Sequence, residues 1–143
     1  MLIGKLIESQ APQDIITCSA STPVREAIAL LASKRIGALP VIMQGQVAGI
    51  FSERDVIYRL ADEGELCLSR AVGEVMTAPA ITVTRDTTSD EALALMTRRR
   101  IRHLPVVEGD ELCGFVSIGD LVKARLEQIS HEAEAMRDYI RTA

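Results

Sequence analysis

The chain has 143 residues, enough for one ordinary domain or two small ones sharing a core. With 48% hydrophobic and 25% charged residues it has a globular balance, and with only 3% aromatics and no tryptophan its core has to be built from Ile, Leu, Val, Ala and Met. The formal charge of −4 and the scarcity of aromatic stacking surface argue against nucleic acid and anionic membranes as partners.

Cys18, Cys67 and Cys113 are odd in number, far apart and without a CxxC pair. Only His103 and His131 stand beside them as soft ligands, so buried or half-buried thiols in a reducing compartment are expected, and no metal site. No apolar run approaches the roughly 20 residues that span a bilayer. The apolar part of MLIGKLIES is short for a signal peptide. These features together lead to a cytoplasmic expectation.

Self-similarity organises the chain. Residues 16–55 align with 81–120 at a constant offset of 65 and without a gap. Ile16-Thr17 matches Ile81-Thr82, Leu39-Pro40-Val41 matches Leu104-Pro105-Val106, and Gly49, Ser52 and Asp55 match Gly114, Ser117 and Asp120. Upstream, Ile3-Gly4-Lys5-Leu6-Ile7 echoes Val72-Gly73-Glu74-Val75-Met76 at an offset of 69, so the first copy has a longer connection, SQAPQD.

In chain order, each copy opens with a short strand, Ile15 to Cys18 or Ala80 to Thr84. A threonine-rich turn then starts a helix. Thr22 before Pro23 reads as a cap with proline at the first helical position, and Thr88 with Glu91 has capping-box spacing. Val24, Ala27, Ile28 and Leu31 form the buried stripe of the first helix. Two strands follow, Leu39 to Met43 and Gln46 to Phe51, joined at Gly45. Their counterparts are Leu104 to Glu108 and Glu111 to Val116, joined at Gly109-Asp110. A second helix starts at Ser52 or Ser117. The fold class is α+β: two β-α-β-β-α units whose sheets cover one another, followed by a long helix. The divisions fall at 1–66, 67–127 and a 128–143 extension.

In the tail, Val122, Leu126, Ile129, Ala133, Met136 and Ile140 are spaced close to a heptad seam on a helix from about Leu121 to about Arg141. Packing across a subunit interface is the expectation, and folding back on its own domain the alternative. The mixed charges of its polar face do not suit a membrane-surface helix.

The β-α-β-β-α repeat, the LPV strand and the Gly-x-x-Ser-x-x-Asp closure resemble the cystathionine β-synthase (CBS) domain, and the tandem resembles a Bateman module standing alone. The resemblance runs from about Ile3 to Arg125 and omits the tail. It implies two domains packed pseudo-symmetrically through their sheets, a homodimer, and clefts that bind AMP, ADP, ATP, S-adenosylmethionine or NAD. Ligand binding then serves regulation, as energy or metabolite sensing read by an effector protein that the sequence does not name.

The residues fit that chemistry. An ionised aspartate is an acceptor only, suited to both hydroxyls of a ribose, and Asp55 and Asp120 match the family's ribose-binding aspartate. Ser52 and Ser117 lie at helix N-termini, where N–H groups and the dipole favour phosphate. Gly49 and Gly114 would serve the turn before them. Thr17 and Thr82, on the first strand of each copy, match positions that meet base and sugar. Ser-x-x-Asp is equally an ordinary N-cap arrangement. Capping and binding are compatible, and the duplication favours binding.

In RRRIRH, Arg98 and Arg99 suit a helix C-terminus. Arg102 and His103 have no counterpart in Gly37-Ala38, and the resemblance puts the Arg102 position at the phosphate of the ligand held by the aspartate of its own domain. Arg100 and its counterpart Arg35 suit either cleft. Glu53 puts a negative charge near a phosphate in the first cleft, which Arg54 offsets. The Asp120 cleft is therefore expected to be the stronger phosphate site. No P-loop, GxGxxG or HExxH motif is present and no nucleophile has an evident base, so catalysis is not expected. A dimerising scaffold with empty clefts is the competing reading.

Overall fold

The computed structural model describes residues 1–142, so the last residue of the 128–143 extension lies outside the described residues. Two equivalent units are built around antiparallel strand pairs. In the first, β2 (Ala38–Met43) pairs with β3 (Gln46–Ser52), and β1 (Cys18–Ser19) lies parallel to β2. The second holds β4 (His103–Glu108) against β5 (Glu111–Ser117). Leu39 faces Phe51 as Leu104 faces Val116, and both pairs carry a bulge, after Val41 and after Val106. The repeat thus preserves even the register irregularity.

The first strands are shorter than expected. Cys18 and Ser19 form the ladder in place of Ile15 to Cys18, and Ala80 to Thr84 contributes only one parallel bridge, Val83 to Val106. That bridge is the counterpart of Cys18 to Val41. In the first unit a further bond, Ala20 N–H to the Ile42 carbonyl at 3.3 Å, extends the pairing by one residue. Among the described residues Arg85, the counterpart of Ala20, makes no such bond.

The helices α2 (Val24–Lys34) and α5 (Ser89–Arg99) cover the sheets, burying Val24, Ala27 and Leu31 or Ala92 and Met96. Thr88 and Glu91 form the expected capping box. Thr22 does not cap α2. Its Oγ1 accepts from the Ser19 N–H at 3.2 Å to close a turn, and Pro23 occupies the cap position. Thr87 closes the same turn in the second unit with the Thr84 N–H, and Thr88 occupies the place of Pro23.

Two one-turn helices, α1 (Ile3–Leu6) and α4 (Val72–Val75), are exchanged between the units. Val72 and Val75 belong to the first core with Val24, Leu39, Val41 and Phe51. Ile3 and Ile7 belong to the second, with Met96, Leu104, Val106 and Val116. The docking bonds are equivalent: Gly73 N–H donates to the Ala20 carbonyl at 2.8 Å, Gly4 N–H to the Arg85 carbonyl at 2.9 Å. A division of the sequence at 66/67 therefore separates each short helix from the core it fills.

Two further helices leave the sheets at the sites of interest. Glu53–Glu63 forms α3 and Ile118–Thr142 forms α6. The 25 residues of α6 extend about 37 Å. Leu121 and Ala124 are buried, and beyond Ala124 every described residue except Gln128 is exposed. The tail therefore does not fold back on its own unit. No helix among the described residues is long and apolar enough to cross a membrane.

Candidate functional site: two clefts between the repeats

Two cavities lie between the units, and each takes one wall from either repeat. The larger, about 540 Å³, sets Ser52, Glu53, Arg54 and Asp55 at the start of α3 against Ile81 and the stretch Arg99 to His103 of the second repeat. The smaller, about 430 Å³, sets Phe115, Ser117 and Asp120 against Ile15, Ile16 and the stretch Arg35 to Ala38 of the first repeat. Gly37, Ala38 and His103 line both.

Local chemistry fixes each aspartate. Ser52 N-caps α3, its Oγ accepting from the Asp55 N–H at 3.4 Å, while Asp55 Oδ2 accepts from the Ser52 N–H at 2.9 Å and from Ser52 Oγ at 3.1 Å. Thr77 Oγ1 donates to Asp55 Oδ1 at 2.9 Å, so both carboxylate oxygens of this half-buried residue have protein donors. Asp120 repeats the cap, accepting from the Ser117 N–H at 2.9 Å and donating its own N–H to Ser117 Oγ at 3.1 Å. Its Oδ1 has no donor among the described residues, and the side chain is exposed. The helix N-terminus and an ionised acceptor thus meet at both clefts, where a sugar hydroxyl and an anion can be held side by side.

Arg102 lies in the Asp55 cleft, not in the Asp120 cleft. This corrects the expectation that it serves the aspartate of its own repeat. The arginine turn after α5 reaches across to the other unit, and Arg54 Nη1 donates to the Arg100 carbonyl at 2.7 Å to tie the two together. Arg100 lines the Asp55 cleft and Arg35 the Asp120 cleft. The ranking that made Asp120 the stronger phosphate site loses its basis, because the cations stand opposite Asp55.

Thr17 and Thr82 line neither cleft. Their neighbours Ile16 and Ile81 do, and along an extended chain adjacent side chains alternate between faces. The repeat signal marked these isoleucines as clearly as the threonines. Thr77, Tyr58 and Phe115 also escaped the sequence reading. Only rarity marks two of them in the sequence: Phe115 is one of two phenylalanines, with Ile50 at its counterpart position, and Tyr58 one of two tyrosines.

Gly49 and Gly114 have a different role from the one expected. Neither has a positive φ, and both sit inside strands. A Cβ on Gly49 would lie 2.7 Å from the Thr77 carbonyl oxygen, and one on Gly114 would lie 2.7 Å from Ile7 Cδ1. Both glycines admit the segment that crosses from the short docking helix. Behind them the pairing is equivalent but made differently. Ile50 exchanges two backbone bonds with Thr77, at 3.0 and 2.9 Å, whereas Phe115 exchanges two with the side-chain amide of Gln10, both at 3.0 Å.

His103 stacks on Phe115, with ring centroids 5.5 Å apart and planes 14° from parallel. Burial pulls its pKa below the usual 6.5; Asp120 and Glu53 oppose this and Arg102 adds to it. A folded-state pKa below the unfolded one means that the unfolded chain binds the proton first. Stability is therefore expected to decline as pH falls through the usual 6.5 and below, and His103→Phe should flatten this slope in urea titrations. An identical slope in the variant would assign the decline to other groups. The thiols are quiet: Cys67 and Cys113 are buried, and burial pushes the half-buried Cys18 up to about 11. No group of three or more His, Cys, Asp or Glu that could hold a metal occurs among the described residues.

Comparison with known proteins agrees with this architecture. The family model for the CBS domain matches residues 11–62 and again 72–127. The mitochondrial CBS domain-containing protein CBSX3 of Arabidopsis thaliana is 36% identical over 128 residues, 86% of this chain and 62% of the relative. The crystal structure of the CBS-domain containing protein ATU1752 from Agrobacterium tumefaciens is 35% identical with a TM-score of 0.81, covering 87% of this chain and 99% of that one. The structure of CBSX2 in complex with AMP is 28% identical with a TM-score of 0.75, covering 88% and 96%. The chain spans less than two thirds of the plant relative and 22% of the inosine-5'-monophosphate dehydrogenase of Mycobacterium leprae, which it also matches. With both family matches falling on the two units, the chain belongs to the CBS domain family and carries two CBS domains in tandem.

Proposed function

We propose that this protein is a regulatory module that binds adenine nucleotides or related adenosyl ligands in its two clefts and passes the signal on by a change in shape or in dimer packing. One observation carries the reading. Each cleft joins the Ser-x-x-Asp helix start of one repeat to the turn between helix and strand of the other. A ligand seated there touches both units and favours whichever relative arrangement it fits better, which is the only way binding can shift such an equilibrium. The AMP complex of CBSX2 supports the ligand class. The match to inosine-5'-monophosphate dehydrogenase covers 22% of that enzyme, too small a share to carry its reaction across.

The exposed α6 seam supports a homodimer, with Leu126, Ile129, Met136 and Ile140 presented on one stripe. The test is a thermal-shift panel with AMP, ADP, ATP, S-adenosylmethionine and NAD. A ligand at about 100 times its dissociation constant adds roughly 2.7 kcal/mol, or about 5–11 °C for a chain of this size. A flat response to all five would leave the scaffold reading. Sedimentation of the same samples tests the dimer, which a monomer at every concentration, with and without ligand, would remove.

A further inference from the structure

We infer that the two clefts take adenosyl ligands of different charge: the Asp55 cleft a nucleoside di- or triphosphate, and the Asp120 cleft an adenosyl compound without a phosphate chain. This rests on the adenosyl-binding reading above and specifies it cleft by cleft. The charges differ in sign. In the Asp55 cleft Arg54, Arg99, Arg100 and Arg102 face Glu53 and Asp55, four cations against two carboxylates, for a net +2. In the Asp120 cleft Arg35 faces Asp14 and Asp120, one against two, for a net −1. Across cavities this narrow, separations are comparable to the Debye length of about 8 Å at physiological salt, so screening does not erase the difference.

Geometry points the same way. Arginine forks grip phosphate oxygens in pairs, and the Asp55 cleft has three, Arg99, Arg100 and Arg102, within the single turn at the end of α5, plus Arg54 from the other repeat. The Asp120 cleft has an aromatic wall, Phe115 with the His103 ring parallel to it, where the Asp55 cleft has Ile50 at the counterpart position and, besides the shared His103, the largely exposed Tyr58. A purine face packs well on such a wall. Asp120 Oδ1, which no protein donor occupies among the described residues, is open to a ribose hydroxyl, while Asp55 Oδ1 already accepts from Thr77. Asp14 stands where a phosphate would be repelled.

Calorimetry on the full chain with ADP and adenosine as probes tests the assignment. ADP should fill one site per chain and weaken steeply with added salt, and adenosine should still bind once ADP is saturating. Arg102→Ala, at an exposed position, should weaken ADP at least tenfold and leave adenosine unchanged. Asp120→Ala should abolish adenosine binding in the ADP-saturated protein. Asp120→Asn, which keeps an acceptor for the cap, should weaken adenosine without moving the melting temperature. ADP filling both clefts equally, adenosine displaced by ADP, or ADP lost in Asp120→Ala but kept in Arg102→Ala would each overturn the assignment and leave adenosyl binding standing. Binding of neither probe to the unaltered protein would overturn both.

Discussion

Replacing Ile7 with alanine is expected to destabilise the protein by about 2–5 kcal/mol, with the damage concentrated in the second repeat. Ile7 lies in the first ten residues, yet it is 1% exposed and packs among Met96, Leu104, Val106 and Val116. Its removal leaves a cavity under β4 and β5, because Gly114 and the Gln10 bridge to Phe115 hold the backbone around it in place. Urea unfolding gives the size of the loss. Amide exchange gives its location, and protection should fall first in β4 and β5 while β2 and β3 keep theirs. A loss below 1 kcal/mol, or equal weakening of both strand pairs, would count against the exchange of short helices between the cores.

Gly49→Ala is the second large effect, expected at about 1–3 kcal/mol. The new methyl group would meet a carbonyl oxygen at 2.7 Å and Met76 Sδ at 2.8 Å. The carbonyl belongs to Thr77 and cannot retreat freely, since it accepts from the Ile50 N–H at 3.0 Å. Any shift of Thr77 also moves the hydroxyl that holds Asp55 Oδ1. The variant should therefore weaken ligand binding at the Asp55 cleft more than at the Asp120 cleft. Gly119→Ala is the contrast: in the first turn of α6 its Cβ would meet only Ser117 Oγ at 3.6 Å, so the better helix former should be neutral or slightly stabilising. Equal melting temperatures for Gly49→Ala and the parent would show that the crossing segment gives way at no cost.

Much of this architecture is legible in the sequence because its causes are local. The apolar run Leu39 to Met43 with its turn at Gln44-Gly45, both at positive φ, marks a strand pair on either side. Thr88 with Glu91 and Ser52 with Asp55 announce helix starts through bonds that span three residues. Where the sequence reading failed, competing bonds, one of them from a distant residue, took up groups that local rules had assigned to the helix start. Thr22 closes a turn while Val72 N–H takes its carbonyl at 2.8 Å, so Pro23 is left at the cap.

The sequence by itself determined the duplication, the strand pairs, the two capped Ser-x-x-Asp helix starts and the apolar seam of the tail. A fixed offset makes two residues equivalent under the pseudo-symmetry, and that equivalence holds wherever the copies come to rest. It does not say whether a segment contacts its own copy or the other. Only the tertiary structure decided that α1 and α4 trade cores, that Gly49 and Gly114 are close-approach glycines, and that Arg102 stands opposite Asp55. The physical reason is common to all three. Each is set by which apolar surfaces are buried across the interface between repeats, a long-range packing choice that leaves no periodicity in the chain.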